Sequence, residues 1–138
     1  MENGSLVAIK QVSVEQIKED RKDSIKNEIN LLKKIEHPKI VKYLDCIQTD
    51  EYLNIVLEFM ENGSLDSLIK KFGKINESLC ALYVEQVLVG LEFLHENKII
   101  HRDIKGGNIL TTKEGEVKLA DFSVATMISQ ELNSLISV

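Results

Sequence analysis

Tryptophan is absent from this chain, proline occurs once, and the only cysteines among its 138 residues are Cys46 and Cys80. The two cysteines form no Cys-x-x-Cys pair and have no histidine cluster beside them, so they indicate neither a zinc site nor a disulfide framework. Both lie within apolar stretches of the sequence. We therefore expect two buried, reduced thiols.

Basic residues are in the minority, because 17 lysines and arginines face 22 aspartates and glutamates and leave a net charge of −5. This balance gives no electrostatic reason to expect nucleic acid or an anionic membrane as a partner. The start of the chain does not resemble a signal peptide, and no apolar run reaches the length needed to span a bilayer. We expect one globular domain in the cytoplasm, of an oligomeric state that the sequence does not indicate.

The most informative stretch is residues 101–108, which read His-Arg-Asp-Ile-Lys-Gly-Gly-Asn and are followed at positions 121 and 122 by Asp-Phe. Phosphoryl transfer from Mg-ATP needs this set of groups. One carboxylate orients the attacking hydroxyl and a lysine balances phosphate charge, while an amide and a second carboxylate supply hard oxygen ligands for Mg²⁺. The pattern predicts Asp103 and Lys105 as catalytic residues and Asn108 and Asp121 as metal ligands.

A second prediction concerns Glu28, which lies on the mostly apolar face of a predicted helix. Its helical neighbours three and four positions away are Ser24, Ile25, Leu31 and Leu32, so no lysine or arginine of the same helix lies within reach. A carboxylate turned toward a core is costly unless a cation from elsewhere pairs with it. Lys10, at the end of an apolar strand-like run, is the candidate partner. The alternative is that both residues are ordinary solvated charges.

The periodicity of apolar residues predicts strands and helices in a mixed order. A strand is expected over 6–11, a helix over 14–35 that ends before His37-Pro38, and a hairpin of strands over 40–48 and 52–59. A flexible break follows at Glu61, Asn62 and Gly63. Two helices come next, one capped by Ser64 and ended by Gly73, and one over 77–96 that is apolar on nearly every side. Short strands over 108–112 and 116–120 bring Asp103, Asn108 and Asp121 toward one cleft.

The motifs HRDxKxxN, DFx and Val7-Ala8-Ile9-Lys10 together resemble the catalytic domain of eukaryotic protein kinases, with Lys105 favouring the serine/threonine type. Sequence segments such as His37-Pro38-Lys39-Ile40-Val41 and Gly107-Asn108-Ile109-Leu110 resemble those of the mitogen-activated protein kinase kinase kinase group, in particular its septation and plant epsilon-type kinases. The resemblance implies an incomplete α+β, two-lobed kinase fold. Residues 1–57 would form part of the small lobe, 58–63 the hinge, and 64–138 part of the large lobe.

The resemblance also assigns residue roles. It implies that Asp103 orients the hydroxyl, that Lys105 steadies the transferring phosphate and that Asn108 and Asp121 hold magnesium. It implies that Lys10, paired with Glu28, binds the ATP phosphates, and that a protein, such as a downstream kinase, is the substrate. The residues expected around the adenine are Ala8 and Leu110 on its two faces, backbone groups of Glu58 and Met60 at its edge, and Leu57 at the back. Leu32, Tyr43, His101 and Phe122 would form an apolar stack, and Arg102 would pair with a phosphorylated residue.

Two departures from the kinase pattern bear on activity. Ser123 stands where a glycine normally follows Asp-Phe, and a serine there costs about 1–2 kcal/mol if the backbone must be left-handed. No glycine-rich loop precedes Lys10 and no Ala-Pro-Glu motif follows Asp121. We therefore expect an unprotected edge strand near Lys10 and an incompletely covered helix over 77–96. Two other interpretations remain open, namely a non-catalytic, nucleotide-binding scaffold and a truncated product without a stable fold.

Overall fold

A computed structural model describes residue 4 and residues 6–14 and 19–127. The described part contains seven β-strands, three α-helices and one short 3₁₀ helix. In chain order these are β1 Val7–Ser13, α1 Glu19–Leu32, β2 Tyr43–Gln48, β3 Tyr52–Glu58, α2 Leu65–Phe72, α3 Glu77–Glu96, β4 Ile99–Ile100, the 3₁₀ helix Gly106–Asn108, β5 Ile109–Thr111, β6 Val117–Leu119 and β7 Thr126–Met127.

The first three strands form an antiparallel sheet in the order β1-β3-β2. The hairpin predicted between β2 and β3 is confirmed, and β1 pairs with the other side of β3 so that Lys10 lies opposite Ile55 and Ala8 opposite Leu57. Ile55 in the central strand is fully buried. Within the described residues β1 pairs on one side only, so it is the edge strand that the sequence predicts.

Helix α1 is shorter than the sequence predicts. It ends at Leu32 instead of residue 35, because Lys34 N–H turns back to the Leu31 carbonyl over three residues rather than four. Ile35 is buried although it lies outside the helix. At the other end, residues 15–18 of the predicted helix lie outside the described residues.

The connection after α1 replaces the first part of a predicted strand. A strand was expected from residue 40, but β2 begins at Tyr43 and Ile40 forms an isolated parallel bridge with Leu119. Val41 N–H donates to the Leu119 carbonyl and Leu119 N–H donates to the Lys39 carbonyl, both at 2.9 Å. Because these backbone groups are used by β6, they are not available to β3. The connection therefore joins the first sheet to the β5-β6 hairpin.

Helices α2 and α3 begin and end where the sequence predicts. The Ser64 hydroxyl accepts the Ser67 N–H, and Gly73, at φ 84°, closes α2 through its N–H to the Ile69 carbonyl. The Asn76 side chain caps α3 by accepting the Leu79 N–H at 2.8 Å. Each of these caps satisfies a backbone donor or acceptor that the helix end leaves open.

Helix α3 is apolar on most sides, and only part of it is covered. Gly90 and Leu94 are buried, whereas Leu82, Val84 and Leu88 are more than half exposed. Within the described part of the chain, this agrees with the expected incomplete cover of the helix. By length and composition α3 could also cross a membrane, so the prediction that no apolar stretch is long enough was wrong by that criterion. Core helices of globular domains meet the same criterion.

The core lies between α1, the three-stranded sheet and the β5-β6 hairpin. Its buried members include Leu32, Ile55, Leu94, Leu119 and Phe122. The cysteines do not both join it as expected. Cys46 on β2 is half-buried against the core, but Cys80 is exposed because it lies in the first turns of α3, before the buried part of that helix.

Candidate active site

One ammonium group joins three segments of the chain at the centre of the site. Lys10 Nζ on β1 lies 2.7 Å from Glu28 Oε1 on α1 and 3.4 Å from Asp121 Oδ1 in the turn after β6. Glu28 is buried, with 7% of its surface exposed. The predicted Lys10–Glu28 pair is therefore formed, and the interpretation of both as solvated charges is wrong for this structure. Asp121 is an additional partner of Lys10.

The opposite charges of Lys10 and its two carboxylate partners shift the pKa values of Lys10 and Asp121 toward their charged forms. Burial lowers the pKa of the Lys10 ammonium, but the hydrogen bond and charge of Glu28, followed by the charge of Asp121, outweigh it and raise the pKa above its ordinary value. Burial raises the pKa of Asp121, but hydrogen bonds from Ser123 and the charge of Lys10 leave it below its ordinary value. Lys10 and Asp121 are therefore both charged at neutral pH.

A second cluster is formed by the loop before the 3₁₀ helix and by Asn108, the last residue of that helix. Lys105 Nζ donates to Asp103 Oδ2 at 2.8 Å, and the Asn108 amide nitrogen donates both to that oxygen at 2.8 Å and to the Asp103 carbonyl at 2.9 Å. The hydrogen bond from Lys105 is the main reason that the pKa of Asp103 lies below its ordinary value. With its nitrogen directed at Asp103, the Asn108 amide leaves its oxygen for another partner.

His101 has a structural position, as the sequence predicts. It is 1% exposed, its ring lies 4.8 Å from that of Phe122, and its Nε2 is 2.8 Å from the Ala120 carbonyl. Asp103 N–H donates to its Nδ1 at 3.3 Å, which assigns the proton of the neutral ring to Nε2. His101 thus links the backbone just before Asp121 to the backbone of Asp103.

Arg102 precedes Asp103 in a left-handed conformation, at φ 66°. Its Nε donates to the Val124 carbonyl in the segment after Asp121. A phosphorylated partner, which the resemblance implies for Arg102, is not tested by this contact and stays a prediction.

A cavity of about 260 Å³ is lined by the Lys10 ion group and by Asn108 of the second cluster, whereas the predicted catalytic residues Asp103 and Lys105 do not line it. Five of the predicted residues line it, namely Lys10, Glu28, Leu57, Asn108 and Asp121. Leu32 and Phe122 of the predicted apolar stack line it as well. The cavity is also lined by Val41, Ile55, Gly107 and Ala120, which were not predicted as site residues. The strand periodicity marks only Ile55 among them, as a core position.

Four residues predicted to surround the adenine do not line this cavity. Ala8 and Leu110 lie at strand positions opposite Leu57 and Lys118, and Met60 is 5% exposed. Glu58 turns its carboxylate toward Lys118, with an Nζ–Oε2 distance of 2.7 Å. Sequence reasoning assigned Glu58 a backbone role and missed this ion pair, which no local pattern indicates because its partners are 60 positions apart.

The connection over 58–63 is hydrogen-bonded to β5 and the residue after it through Asn62 and Gly63. Asn62 N–H donates to the Thr111 carbonyl and Thr111 N–H to the Gly63 carbonyl, at 3.2 and 2.9 Å. The Asn62 side chain donates to the Thr112 carbonyl, and Ser64 bridges to Leu110. Backbone hydrogen bonds therefore attach Asn62 and Gly63 to β5, whereas the flexibility expected at residues 61–63 is not tested by these contacts and stays a prediction. The lobe boundaries themselves remain a prediction.

The residues present fit a magnesium ion that shares its coordination with a ligand. Among the described residues, no group of three or more His, Cys, Asp or Glu side chains could hold a metal ion alone. Asp121 and Asn108 nevertheless line one cavity and offer a carboxylate and an amide oxygen, the donor types that Mg²⁺ prefers. Mg²⁺ bound to one or two such side chains commonly completes its shell with water and phosphate oxygens.

Three features together define an incomplete protein kinase fold. They are a three-stranded sheet with one helix, a hairpin followed by an Asp-Phe turn, and a Lys–Glu pair beside an Asp-x-Lys-x-x-Asn loop. The chain belongs to the protein kinase family, since the family model described as "Protein kinase domain" matches residues 1–137.

Three relatives illustrate where in the family the similarity lies. MAP3K epsilon protein kinase 1 of Arabidopsis thaliana is 58% identical over 94% of this chain. Cell division control protein 7 of Schizosaccharomyces pombe is 55% identical over 94%, and cytokinesis protein sepH of Aspergillus niger 54% over 89%. The matched regions make up 10%, 12% and 9% of those proteins, so the chain spans about a tenth of the length of these relatives.

Proposed function

We propose that this chain is the central part of the catalytic domain of a serine/threonine protein kinase, which transfers a phosphoryl group from Mg-ATP to a protein hydroxyl. The observation that carries the proposal is the position of Lys10, whose ammonium lies between Glu28 and Asp121 on the wall of a cavity that also contains Asn108. These residues come from segments far apart in sequence. Phosphate and metal groups meet at such an arrangement in phosphoryl transfer.

In this proposal the Asp103 carboxylate orients the substrate hydroxyl. Its pKa lies below the ordinary carboxyl value because of Lys105, so it is a carboxylate at neutral pH and accepts a hydrogen bond from a serine or threonine hydroxyl. Lys105 pairs with Asp103 at 2.8 Å and is 59% exposed, so its ammonium is free to turn toward a phosphate. Orientation and charge balance are the main contributions a kinase makes to this reaction.

Lys10 holds the ATP phosphates, with Glu28 keeping its ammonium in place. Asn108 and Asp121 would hold Mg²⁺ through oxygen atoms. Bound Mg²⁺ neutralises charge on the phosphate oxygens. In this proposal Leu57, which lines the cavity, lies at the back of the adenine site. Backbone groups of Glu58 and Met60, which do not line the cavity in this structure, would hydrogen-bond the edge of the adenine.

A serine- or threonine-bearing protein is the proposed substrate, and a downstream kinase is the proposed kind of protein. Support comes from Lys105 two residues after Asp103 and from the similarity to MAP3K epsilon protein kinase 1. The chain covers a small share of that relative, so this assignment concerns the reaction class and not a particular pathway.

The experiment is phosphate transfer from labelled Mg-ATP to a generic basic protein, using the purified chain. Asp103→Asn should lower the rate by about 10²- to 10⁴-fold. Asp50→Asn, an exposed turn residue, is the matched control and should leave the rate unchanged. Thermal stabilisation by ATP without turnover would instead support the scaffold interpretation, and a non-cooperative melt without an ATP response would support a chain with no stable fold.

A further inference from the structure

The Glu58 carboxylate is held by donors from two separate segments. Oε2 accepts from Lys118 Nζ on β6 at 2.7 Å, and Oε1 accepts the backbone N–H of Lys42 at 2.5 Å. The backbone of Glu58 is fixed as well, because its N–H donates to the Lys42 carbonyl at 3.0 Å. Glu58 is therefore anchored through both its side chain and its main chain.

The Glu58–Lys118 pair is shielded from solvent, unlike a neighbouring ion pair of similar length. The side chains of Lys118 and Glu58 are 15% and 24% exposed, whereas those of Lys42 and Glu36, 2.6 Å apart, are 55% and 76% exposed. Exposed pairs contribute little because water competes for both charges, while removing one partner of a shielded pair leaves the other poorly solvated. Loss of the Lys118 ammonium should therefore disturb the segment around Glu58.

Both ends of the 58–63 connection attach to the same β5-β6 hairpin. Glu58 binds β6 through Lys118, and the Asn62–Gly63 peptide groups bind Thr111 on β5. The residues between these attachments are Phe59, Met60 and Glu61. Lys118 also lies three residues before Asp121, which lines the cavity, so a shift of this strand relative to Glu58 would move Asp121 relative to the 58–63 connection.

We infer that Lys118, through the Glu58 carboxylate, is a positioning residue that fixes the 58–63 connection against the β5-β6 hairpin and thereby sets nucleotide affinity. The nucleotide part of this inference rests on the proposed function, because it assumes that backbone groups of Glu58 and Met60 contact the adenine. The positioning part concerns the ligand-free chain and stands on the contacts alone. Neither side chain touches a reacting atom.

The test compares Lys118→Met with Lys118→Arg, which keeps the charge, and with Glu36→Gln, which breaks the exposed pair. Two quantities are measured on each purified chain. The first is hydrogen exchange, without ligand, of the Glu58 and Asn62 amides, which donate to the Lys42 and Thr111 carbonyls. The second is affinity for Mg-ATP by titration. In Lys118→Met we expect exchange to rise and affinity to fall, each by about tenfold. In Lys118→Arg and Glu36→Gln both should stay within about twofold of the parent chain.

The outcomes separate the inference from the proposed function. If the parent chain binds Mg-ATP and Lys118→Met changes neither exchange nor affinity, the inference is overturned. Equal losses in Lys118→Met and Glu36→Gln would also overturn it, since they would show a general loss of stability. If the parent chain binds no nucleotide but exchange rises only in Lys118→Met, the proposed function and the nucleotide part of the inference are overturned, and the positioning of the connection is supported.

Discussion

Lys10 and Asp121 are 111 positions apart in the chain, and the Lys10 ammonium lies 3.4 Å from the Asp121 carboxylate. Glu28 binds the same ammonium at 2.7 Å. The ion group therefore connects β1, α1 and the turn after β6, which the backbone hydrogen bonds of β1 do not do. Lys10 should contribute to stability as well as to any ligand binding.

The first prediction concerns this ion group and uses Lys10→Met, Glu28→Gln and the double variant. Lys10→Met leaves the buried Glu28 carboxylate without its cation and should destabilise the chain by about 1–3 kcal/mol. This is below the cost for a fully buried pair because the Lys10 side chain is 35% exposed. Since Glu28→Gln removes the stranded charge, the double variant should be less destabilised than the sum of the single variants.

Urea unfolding of the four chains measures this coupling. Additive single and double effects would show that Lys10 and Glu28 do not interact in solution. The same cycle with Lys42→Met and Glu36→Gln is the matched control, because that pair is exposed on both sides and should show little coupling.

The second prediction concerns the pH dependence of the two thiols. Burial raises the pKa of the Cys46 thiol above its ordinary value of 9.0, and the positive charge of Lys33 only partly opposes this. Because thiolate is the reactive form, Cys46 should be alkylated by iodoacetamide more than about tenfold more slowly than the exposed Cys80 at pH 8. Mass spectrometry of the two peptides over pH 7 to 11 gives both rates in one sample.

The same shift affects stability with a definite sign. The folded chain holds the Cys46 proton more tightly than the unfolded chain does. The contribution of the Cys46 thiol to folding stability is therefore fully present below the pKa of Cys46 in the unfolded chain. It is lost as pH rises through the pKa of Cys46 in the folded chain. Cys46→Ala should therefore lose less stability than the parent chain above pH 9. Equal alkylation rates for Cys46 and Cys80, or equal losses of stability in both chains, would contradict this account.

Features with a strong local signal were predictable from the sequence. Helix α2 was predicted with both ends, because Ser64 and Gly73 are typical capping residues and act as such here. The Lys10–Glu28 pair could also be predicted, since a carboxylate on an apolar helix face requires a cation from another element. In both cases the deciding information lies within a few residues.

Features that depend on distant segments were not predictable. Ile40 has the pattern of a strand residue, but its neighbours bind β6 and β2 starts only at Tyr43. Asn62 and Gly63 have the composition of a flexible break, yet β5 supplies hydrogen-bond partners for both. The Glu58–Lys118 pair likewise follows from strand packing and not from either local sequence. Tertiary contacts override local preference at all three places.

The third prediction concerns a close contact between α2 and the loop that carries Lys105. A Cβ added at Gly106 would lie 2.1 Å from Asp66 Oδ1 and 2.9 Å from its Cγ, so the carboxylate would have to move. Asp66 is exposed and can change rotamer to make room, so Gly106→Ala should destabilise the chain by only about 0.5–1 kcal/mol. In Asp66→Ala the space is open, so adding Gly106→Ala to it should cost much less.

Urea unfolding of the single and double variants measures this relief. Gly107→Ala is the matched control, because its added Cβ would lie 3.3 Å from Asp66 Oδ2 and needs only a small shift. If Gly106→Ala costs the same with and without Asp66, the contact does not constrain the loop in solution.

The fourth prediction revises the expectation for Ser123. If residue 123 needed a left-handed backbone, Ser123→Gly would be expected to raise nucleotide affinity, because glycine adopts that conformation without the cost expected for serine. In the described part of the chain the non-glycine residues with positive φ are Lys98, Arg102 and Asp121, so the condition is not met at Ser123. Instead Ser123 N–H donates to Asp121 Oδ1 at 3.3 Å, in a conformation that any residue adopts.

Glycine at this position should therefore weaken the observed arrangement. Ser123→Gly gives the unfolded chain more conformations to lose, which costs about 0.4–1 kcal/mol of stability. It also lets the turn after Asp121 adopt other conformations in the folded chain, and because Asp121 would hold Mg²⁺ from this turn, Mg-ATP affinity should fall by about two- to fivefold. Ser123→Ala keeps the backbone restriction and should bind Mg-ATP within about twofold of the parent chain. Titration of the three chains with Mg-ATP is the measurement. A gain in affinity for Ser123→Gly would show that the binding conformation is left-handed at residue 123, and so differs from the one described here.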